Sequence, residues 1–302
     1  MEWNAGQGWL PRGVTAILLA LGAALAYGAS DFIGGRASTR AHFAVVTAVG
    51  AGVAVLIALV AAPLLGSAAL SAGPLLWGLA SGVGSGMGTL FLYRGLARAR
   101  VAVVAPTSGV LAAALPAVVA VVLGERPTPI AIVGLLLALP AVWLISGGGG
   151  GSDADGRPSG ISDGVLAGFG FGLLFLALDQ AGDGAGLWPL AAGQALAFVL
   201  VGAVAVRAYR SGQLRTTPAG PNAGTGPWWP LAVATGVLGS AATLLFYAST
   251  TTGLLTVAAV LTSLYPAGTI VLARLILDER ISRRQGLGLA LAGGAVVLIT
   301  LG

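Results

Sequence analysis

The chain has 302 residues, of which 57% are hydrophobic and only 8% are charged, and its mean hydropathy is +0.94. Soluble domains have about 25% charged residues, so this composition excludes a soluble globule with a solvated surface. The net charge of +5 comes from 15 arginines against 10 acids. Because the arginines lie between apolar runs, we interpret them as loop charges that set membrane topology, and we expect no nucleic-acid partner.

Two residue types that support enzyme chemistry are scarce. Cysteine is absent and His42 is the only histidine. Thiolate and histidine-based metal sites are therefore excluded, and a Ser-His-Asp triad would depend on that single loop residue. We predict that the protein is not an enzyme and that it uses neither a metal nor a cofactor.

Ten apolar runs, separated by polar or Gly/Pro-rich breaks, approach the length of about 20 residues that crosses a bilayer core. In chain order they cover residues 14–33, 43–65, 75–93, 101–123, 129–146, 162–180, 188–208, 228–249, 255–277 and 285–301. The N-terminus lacks the basic region and cleavage site of a signal peptide, so we expect the first run to be retained. The sequence predicts an all-α polytopic membrane protein with ten transmembrane helices.

The second half of the chain repeats the first. A shift of 154 residues aligns the segment that begins "FLYRGLARAR" with the segment that begins "LFYASTTTGL", and it places Tyr93 on Tyr247. A shift of 148 residues places Asp31 on Asp179. Matches between such rare residues indicate a true internal repeat rather than a shared apolar composition.

The repeat divides the chain into two five-helix units. We predict a first repeat over residues 1–146, a Gly/Asp-rich flexible linker over 147–160 and a second repeat over 161–302. Because five is odd, the second unit enters the membrane from the opposite side, and the two units form an inverted repeat. Inverted repeats are common in secondary transporters, which bind substrate near the membrane midplane between the halves.

Arginine is distributed unevenly between the two predicted sides. The loops that follow helices 1, 3, 5, 7 and 9 carry twelve arginines, whereas the other side carries only Arg12 and Arg126. The positive-inside rule makes the arginine-rich side cytoplasmic. We therefore expect a plasma-membrane protein with both termini outside.

Four segments resemble the EamA-type members of the drug/metabolite transporter superfamily. They are "YGASDF" at 27–32, "FLYRGLARA" at 91–99, "APTSGVLAAALPAVVAVVLGERPT" at 105–128 and "LTSLYPAGTIVLARLILDERIS" at 261–282. The resemblance extends over nearly the whole chain. It implies ten helices with inverted two-fold architecture and the transport of small metabolites, often outward. Family members usually have both termini in the cytoplasm, opposite to the orientation that the arginines indicate here.

Polar residues at membrane depth form stripes along several predicted helices. Lipid-facing polar groups are costly, so these stripes face other helices or a cavity. Two interpretations stay open, a substrate path and interhelical hydrogen bonding. The substrate-path candidates are Tyr27, Ser30, Asp31, Ser85, Thr89, Tyr93, Thr243, Tyr247, Thr262, Tyr265 and Thr269.

Asp31 lies near the end of the first run. At 1.5 Å per residue it is about 26 Å along the helix from Val14, so it is closer to the exit than to the midplane. Tyr27 and Ser30 share its helix face. One interpretation is a helix-end carboxylate near Arg36. The other is a proton-titrated group at the cytoplasmic entrance, with Asp179 in the equivalent place at the opposite face.

Two further motifs have competing interpretations. Glu125 with Arg126, and Glu279 with Arg280, end helices 4 and 9 on opposite faces, either as interfacial ion pairs or as gate latches. The segment "GVGSGMG", residues 82–88, resembles a phosphate-binding loop but lies within an apolar run. We predict that its small residues allow close helix packing.

These features predict a secondary transporter that moves a small metabolite across the plasma membrane by alternating access. No ATP-binding motif is present, so we expect an ion gradient or exchange to drive transport, with protons as a candidate second ligand. We expect export. The alternative is a non-transporting integral-membrane scaffold or assembly protein.

Overall fold

The computed structural model describes residues 12–65, 71–122, 128–145, 158–182, 186–215, 226–252, 262, 265–277 and 282–301. In chain order the α-helices within these ranges are α1 (Arg12–Ser38), α2 (Phe43–Leu65), α3 (Ala72–Arg98), α4 (Val101–Val122), α5 (Pro129–Ile145), α6 (Ile161–Ala181), α7 (Trp188–Arg210), α8 (Trp229–Thr252), α9 (Tyr265–Leu277) and α10 (Arg283–Leu301). A short 3-10 helix, Gln213–Arg215, follows α7.

Each of the ten predicted apolar runs overlaps one of these helices, and of the run 255–277 the structure describes only residue 262 and α9. Six of them, α1 to α3 and α6 to α8, contain segments that are long and apolar enough to cross a membrane. Shorter apolar segments, Val101–Ala112, Tyr265–Leu277 and Gly286–Leu298, lie in α4, α9 and α10. The all-helical membrane architecture is confirmed, and crossing by all ten helices stays a prediction.

Helices α1 and α3 each continue about five residues beyond their apolar runs. Their last turns pack against each other, because Gly35 contacts Leu96 so closely that a Cβ at Gly35 would lie 2.7 Å from the Leu96 Cβ. This tertiary contact extends both helices where hydrophobicity alone predicts a loop.

Helices of each half pack against helices of the other half. Helix α3 packs on α6 and α7, and its repeat counterpart α8 packs on α1 and α2. Likewise α4 packs on α6, and its counterpart α9 packs on α1. Helices α5 and α10 pack on each other. Equivalent helices therefore have equivalent partners, as expected of two related units.

Close contacts give the directions of these helices. Gly34 and Gly35 contact Tyr93 and Leu96, so α1 and α3 run in the same direction. Helix α3 runs antiparallel to α6, because Gly84 meets Leu174 whereas Gly95 meets Asp163. It follows that α1 and its counterpart α6 run in opposite directions, which is the geometry of an inverted repeat.

Glycines of the segment 82–88 form a seam between the halves. A Cβ at Gly84 would lie 2.6 Å from the Gly170 carbonyl oxygen, and a Cβ at Gly170 would lie 2.7 Å from the Cα of Gly88. Only glycine permits backbones to approach so closely. These residues lie in the middle of α3, so the segment serves helix packing, as the sequence predicts.

The outer surface is apolar. Leu25, Leu64 and Leu275 are 68%, 76% and 75% exposed. Large exposed apolar areas are rare on soluble monomers and fit a surface that contacts lipid. The polar side chains that the sequence places at membrane depth are found mainly between helices.

Candidate functional site

A group of polar side chains is buried where α1 meets α3, α8 and α9. It consists of Tyr27, Ser30 and Asp31 from α1, Tyr93 from α3 and Tyr265 from α9, and we call it the Asp31 cluster. Asp31 is 7% exposed, and Ser30, Tyr93 and Tyr265 are similarly buried. Ionisable residues inside membrane helices are costly and mark functional sites.

Hydrogen bonds connect the cluster to α8. The Tyr27 hydroxyl lies 2.8 Å from the Thr243 Oγ1, and the Ser30 hydroxyl donates to the Thr235 carbonyl oxygen at 3.0 Å. Tyr93 also approaches Ser30 and Thr235. Because α1 and α8 belong to different halves, these bonds join the two repeats.

Helix α9 contributes an aromatic ring and a buried hydroxyl. The ring centroids of Tyr27 and Tyr265 are 6.1 Å apart with a 60° tilt, a favourable aromatic geometry. The Tyr265 hydroxyl forms no hydrogen bond within the described residues. The nearby Ser108 hydroxyl instead donates to the Ala105 carbonyl at 2.8 Å. Tyr265 therefore brings an unsatisfied polar atom into the cluster.

The Asp31 carboxylate has neither an ion pair nor a hydrogen bond in the part of the chain that the structure describes. Its negative charge lies close enough to Tyr27, Tyr93 and Tyr265 to act on all three electrostatically. A buried, unpaired carboxylate is costly unless a proton or a cation neutralises it. The site therefore favours a positively charged ligand.

An ion pair closes one end of the interface. The Arg94 Nε donates to the Asp163 Oδ1 at 2.7 Å, so the last turns of α3 are tied to the first turn of α6. The guanidinium also lies 4.5 Å from the centroid of the Phe91 ring, which adds a cation–π contact. From its sequence position Arg94 is expected to be a loop charge, and this pair was not predicted. The signal was present, because an acid follows the linker on the same predicted membrane side as Arg94.

A small cavity lies beside the Tyr27–Thr243 bond, between α2, α7 and α8. Its lining includes Gln194, Ser240 and Thr243, and its volume is about 10 Å³. The Ser240 hydroxyl is buried without a partner among the described residues. This cavity has room for about one water molecule and is too small for a metabolite.

The other predicted path residues lie apart from the Asp31 cluster or serve helix packing. Thr89 donates to the Ser85 carbonyl at 2.7 Å within its own helix. Thr262 and Thr269 donate to the α1 carbonyls of Ala20 and Gly28, at 3.4 and 3.2 Å. Tyr247 packs beside an alanine-rich group formed by α2 and α7.

Most of the predicted gate residues lie in segments that the structure does not describe. Glu125, Arg126, Glu279 and Arg280 lie outside the described residues, as does most of the linker. Asp179 lies in the last turn of α6.

The sequence model of the EamA-like transporter family matches residues 14–147 and, a second time, residues 158–301. The chain belongs to the EamA-like transporter family. Two matches in one chain agree with the internal repeat and with the resemblance to the drug/metabolite transporter superfamily. The family is one of transporters rather than enzymes, so this multi-pass membrane protein has a role in membrane transport.

Comparison with solved structures supports the fold of this EamA-like chain. A crystal structure with 18% sequence identity covers 96% of this chain and 95% of its own, with a TM-score of 0.50. At that identity the likeness concerns the fold alone. No curated protein matches the chain.

Proposed function

We propose that this EamA-like protein is a secondary transporter that moves a small metabolite across the plasma membrane by alternating access. We further propose that it exports its substrate and that an ion gradient or exchange drives the cycle. The observation that carries the proposal is the Asp31 cluster, which lies between the two inverted halves. In transporters with this architecture, substrate and coupling-ion sites occur at that interface.

The position of the cluster explains how access to it changes. Asp31 belongs to α1 of the first half, whereas Thr243 and Tyr265 belong to α8 and α9 of the second half. A movement of one half against the other therefore changes the surroundings of the carboxylate. The cavity beside Thr243 is too small for a metabolite, so a substrate that binds at this point needs a different arrangement of the halves.

The close packing of the arginine-rich end supports alternating access. At the arginine-rich end, Gly34 contacts the Tyr93 ring and Arg94 pairs with Asp163. The repeat counterpart of Gly34 is Gly182, and no described atom lies within 4 Å of a Cβ placed there. One end of the interface is thus closely packed, and among the described residues no equivalent contact is made at Gly182.

From the arginine distribution we propose that the closely packed end is cytoplasmic and that both termini face outward. A fluorescent protein that folds only in the cytoplasm, fused after Gly302, tests the orientation. We expect cells without fluorescence. Bright cells would reverse the assignment.

The transport function is tested by comparing external metabolites of a deletion strain and an overexpressing strain. We expect at least one small metabolite to accumulate outside the overexpressing cells and to decline outside the deletion strain. Purified protein in proteoliposomes then has to move that compound. If neither strain changes the external metabolites and vesicles show no flux, a scaffold function replaces transport.

A further inference from the structure

We propose that Asp31 is the proton-binding group that couples transport to the proton gradient. This inference rests on the proposed function and specifies its energy source. It follows from the burial of the carboxylate, the character of the groups that surround it and the unbroken backbone of α1.

The groups that face Asp31 are uncharged at neutral pH. They are Tyr27 from α1, Tyr93 from α3 and Tyr265 from α9, with Ser30 next to Asp31 in α1. These residues in turn contact Thr243 and Thr235 of α8 and Ser108 of α4. Helices α2, α4 and α8 carry no charged residue. No side chain of these helices therefore supplies a positive charge to the carboxylate.

Charged residues elsewhere on the packed helices are engaged or point away. Arg94 is paired with Asp163, and Arg98 lies 5.5 Å from the Phe43 ring centroid. Arg36 follows Asp31 by five residues, which places it about 140° around the helix. Arg274 is exposed in the last turn of α9. No described side chain therefore neutralises Asp31, and we assign the neutralising charge to a ligand.

The backbone favours a proton over a metal cation. Sodium sites in transporters use carbonyl oxygens that are freed where a helix unwinds. Helix α1 is continuous from Arg12 to Ser38, so the carbonyls around Asp31 remain in its helical hydrogen bonds. The Gly28 carbonyl additionally accepts from Thr269. A proton, by contrast, needs only one oxygen of the Asp31 carboxylate. The Tyr265 hydroxyl, which has no partner among the described residues, lies near the carboxylic acid that protonation of Asp31 produces.

Protonation of Asp31 couples the movement of protons to the movement of the two halves. When a proton transfers from water to the Asp31 carboxylate, the negative charge disappears and the closed, desolvated arrangement becomes less costly. Release of the proton to water restores the charge and favours an arrangement that hydrates the carboxylate or pairs it with a cationic substrate group. Binding on one side and release on the other then link proton flow to the movement of the halves.

Proton binding can be measured without any substrate. A protonated carboxyl group has its own carbonyl stretch in the infrared spectrum, so we would titrate the full-length protein in lipid vesicles across neutral pH. We expect a titrating band in the wild type and in the control variant Asp153→Asn, which removes a carboxylate of the linker. We expect the band to be lost in Asp31→Asn. A band that survives Asp31→Asn would overturn the proposal. So would a titration that shifts when sodium replaces choline in the buffer.

Coupling is measured with the compound identified in the strain comparison. We expect a pH gradient to stimulate its flux into proteoliposomes, and a sodium gradient to leave it unchanged. Asp31→Asn should abolish the stimulation by the pH gradient while exchange of labelled for unlabelled compound continues. Full pH stimulation in Asp31→Asn would overturn the coupling role. Absence of any flux in the wild type would instead refute the transport function, and the infrared band would still report on proton binding.

Discussion

Tyr27 is the hydrogen-bond donor to Thr243, although either hydroxyl has a proton to give. Thr243 already donates to the Gly239 carbonyl at 2.9 Å in its own helix, so its oxygen is left to accept the Tyr27 proton at 2.8 Å. The two residues are 216 positions apart, and this bond connects α1 of the first half to α8 of the second. A side chain of the Asp31 cluster therefore has its direction fixed by the opposite repeat.

A double-mutant cycle with Tyr27→Phe and Thr243→Val should reveal the strength of this bond. We expect a coupling free energy of about 0.6 kcal/mol, the average for interhelical hydrogen bonds in membrane proteins. Unfolding of the purified variants in detergent gives the four free energies. Tyr27→Phe combined with Thr89→Val serves as control, because Thr89 bonds within α3, and should be additive. Additivity in the Tyr27–Thr243 cycle would show that the bond contributes nothing.

Removal of one partner of the Arg94–Asp163 pair should open the arginine-rich end. A hydrogen bond to a charged group contributes about 1.5–3 kcal/mol, so Asp163→Asn should raise the open population by roughly tenfold or more. The chain has no cysteine, so Ser38→Cys, at a buried position near that end, can serve as a single reporter for a membrane-impermeant maleimide. We expect Asp163→Asn to accelerate labelling from that side.

The exchange of charges provides the matching control for that experiment. The double variant Arg94→Asp with Asp163→Arg restores an ion pair, and we expect labelling of the reporter to return toward the wild-type rate. Equal labelling rates in the wild type and Asp163→Asn would show that the ion pair does not hold this end closed.

The glycine seam should not tolerate even one methyl group. Gly170→Ala places a Cβ against the backbone of α3, which cannot move aside by a rotamer change, and overpacking of this kind costs about 1–3 kcal/mol. Gly202→Ala in α7 is the control, since no atom lies within 4 Å of its Cβ and alanine favours helix. Thermal unfolding in detergent should show Gly170→Ala less stable than the wild type and Gly202→Ala at least as stable. Equal melting temperatures for the two variants would contradict the close packing.

His42 should titrate below its usual range. It lies between α1 and α2, where partial burial and the positive charge of Arg98 lower the pKa of its imidazole. Its Nδ1 accepts a hydrogen bond from the Ala44 amide at 3.3 Å, which also requires the unprotonated nitrogen. As the only histidine, it gives an unambiguous NMR signal, and Arg98→Gln should raise its pKa toward about 6.5.

The sign of the effect on stability follows from that shift. A folded-state pKa below the unfolded value means that the unfolded chain binds more protons, so the contribution of His42 to stability is present above about pH 6.5 and is lost as the pH falls. His42→Gln should reduce the loss of stability between neutral and mildly acidic pH. An unchanged pH dependence in His42→Gln would exclude this contribution.

Hydrophobicity and the internal repeat predicted the helices well because both are properties of the order of residues in the chain. Runs of about 20 apolar residues predicted helices whose limits differ little from those of α2, α4 and α7, and the matched tyrosines indicated two related halves. The extended ends of α1 and α3 were not predicted, because they depend on the contact between Gly35 and Leu96 in the folded protein.

The candidate site was predicted only in part. Tyr27, Ser30 and Asp31 were placed on one face of α1, since helical spacing determines which residues share a face, and all three lie in the Asp31 cluster. Spacing does not show which face of a second helix meets the first. Tyr93 and Tyr247 are equivalent in sequence, yet Tyr93 lies beside Asp31 and Tyr247 packs beside the alanine-rich group of α2 and α7. The sequence places Asp163 on the same membrane side as Arg94, but the contact between them depends on how α3 crosses α6.

The Arg94–Asp163 pair has no equivalent at the corresponding positions of the two repeats. The residues that correspond to Arg94 and Asp163 are Ala248 and Thr15, which cannot form an ion pair. Two halves with identical contacts at both ends would give two end states of equal free energy. A single bond present at one end removes this degeneracy, so the protein has a resting conformation, and a complete cycle must supply the energy to leave it.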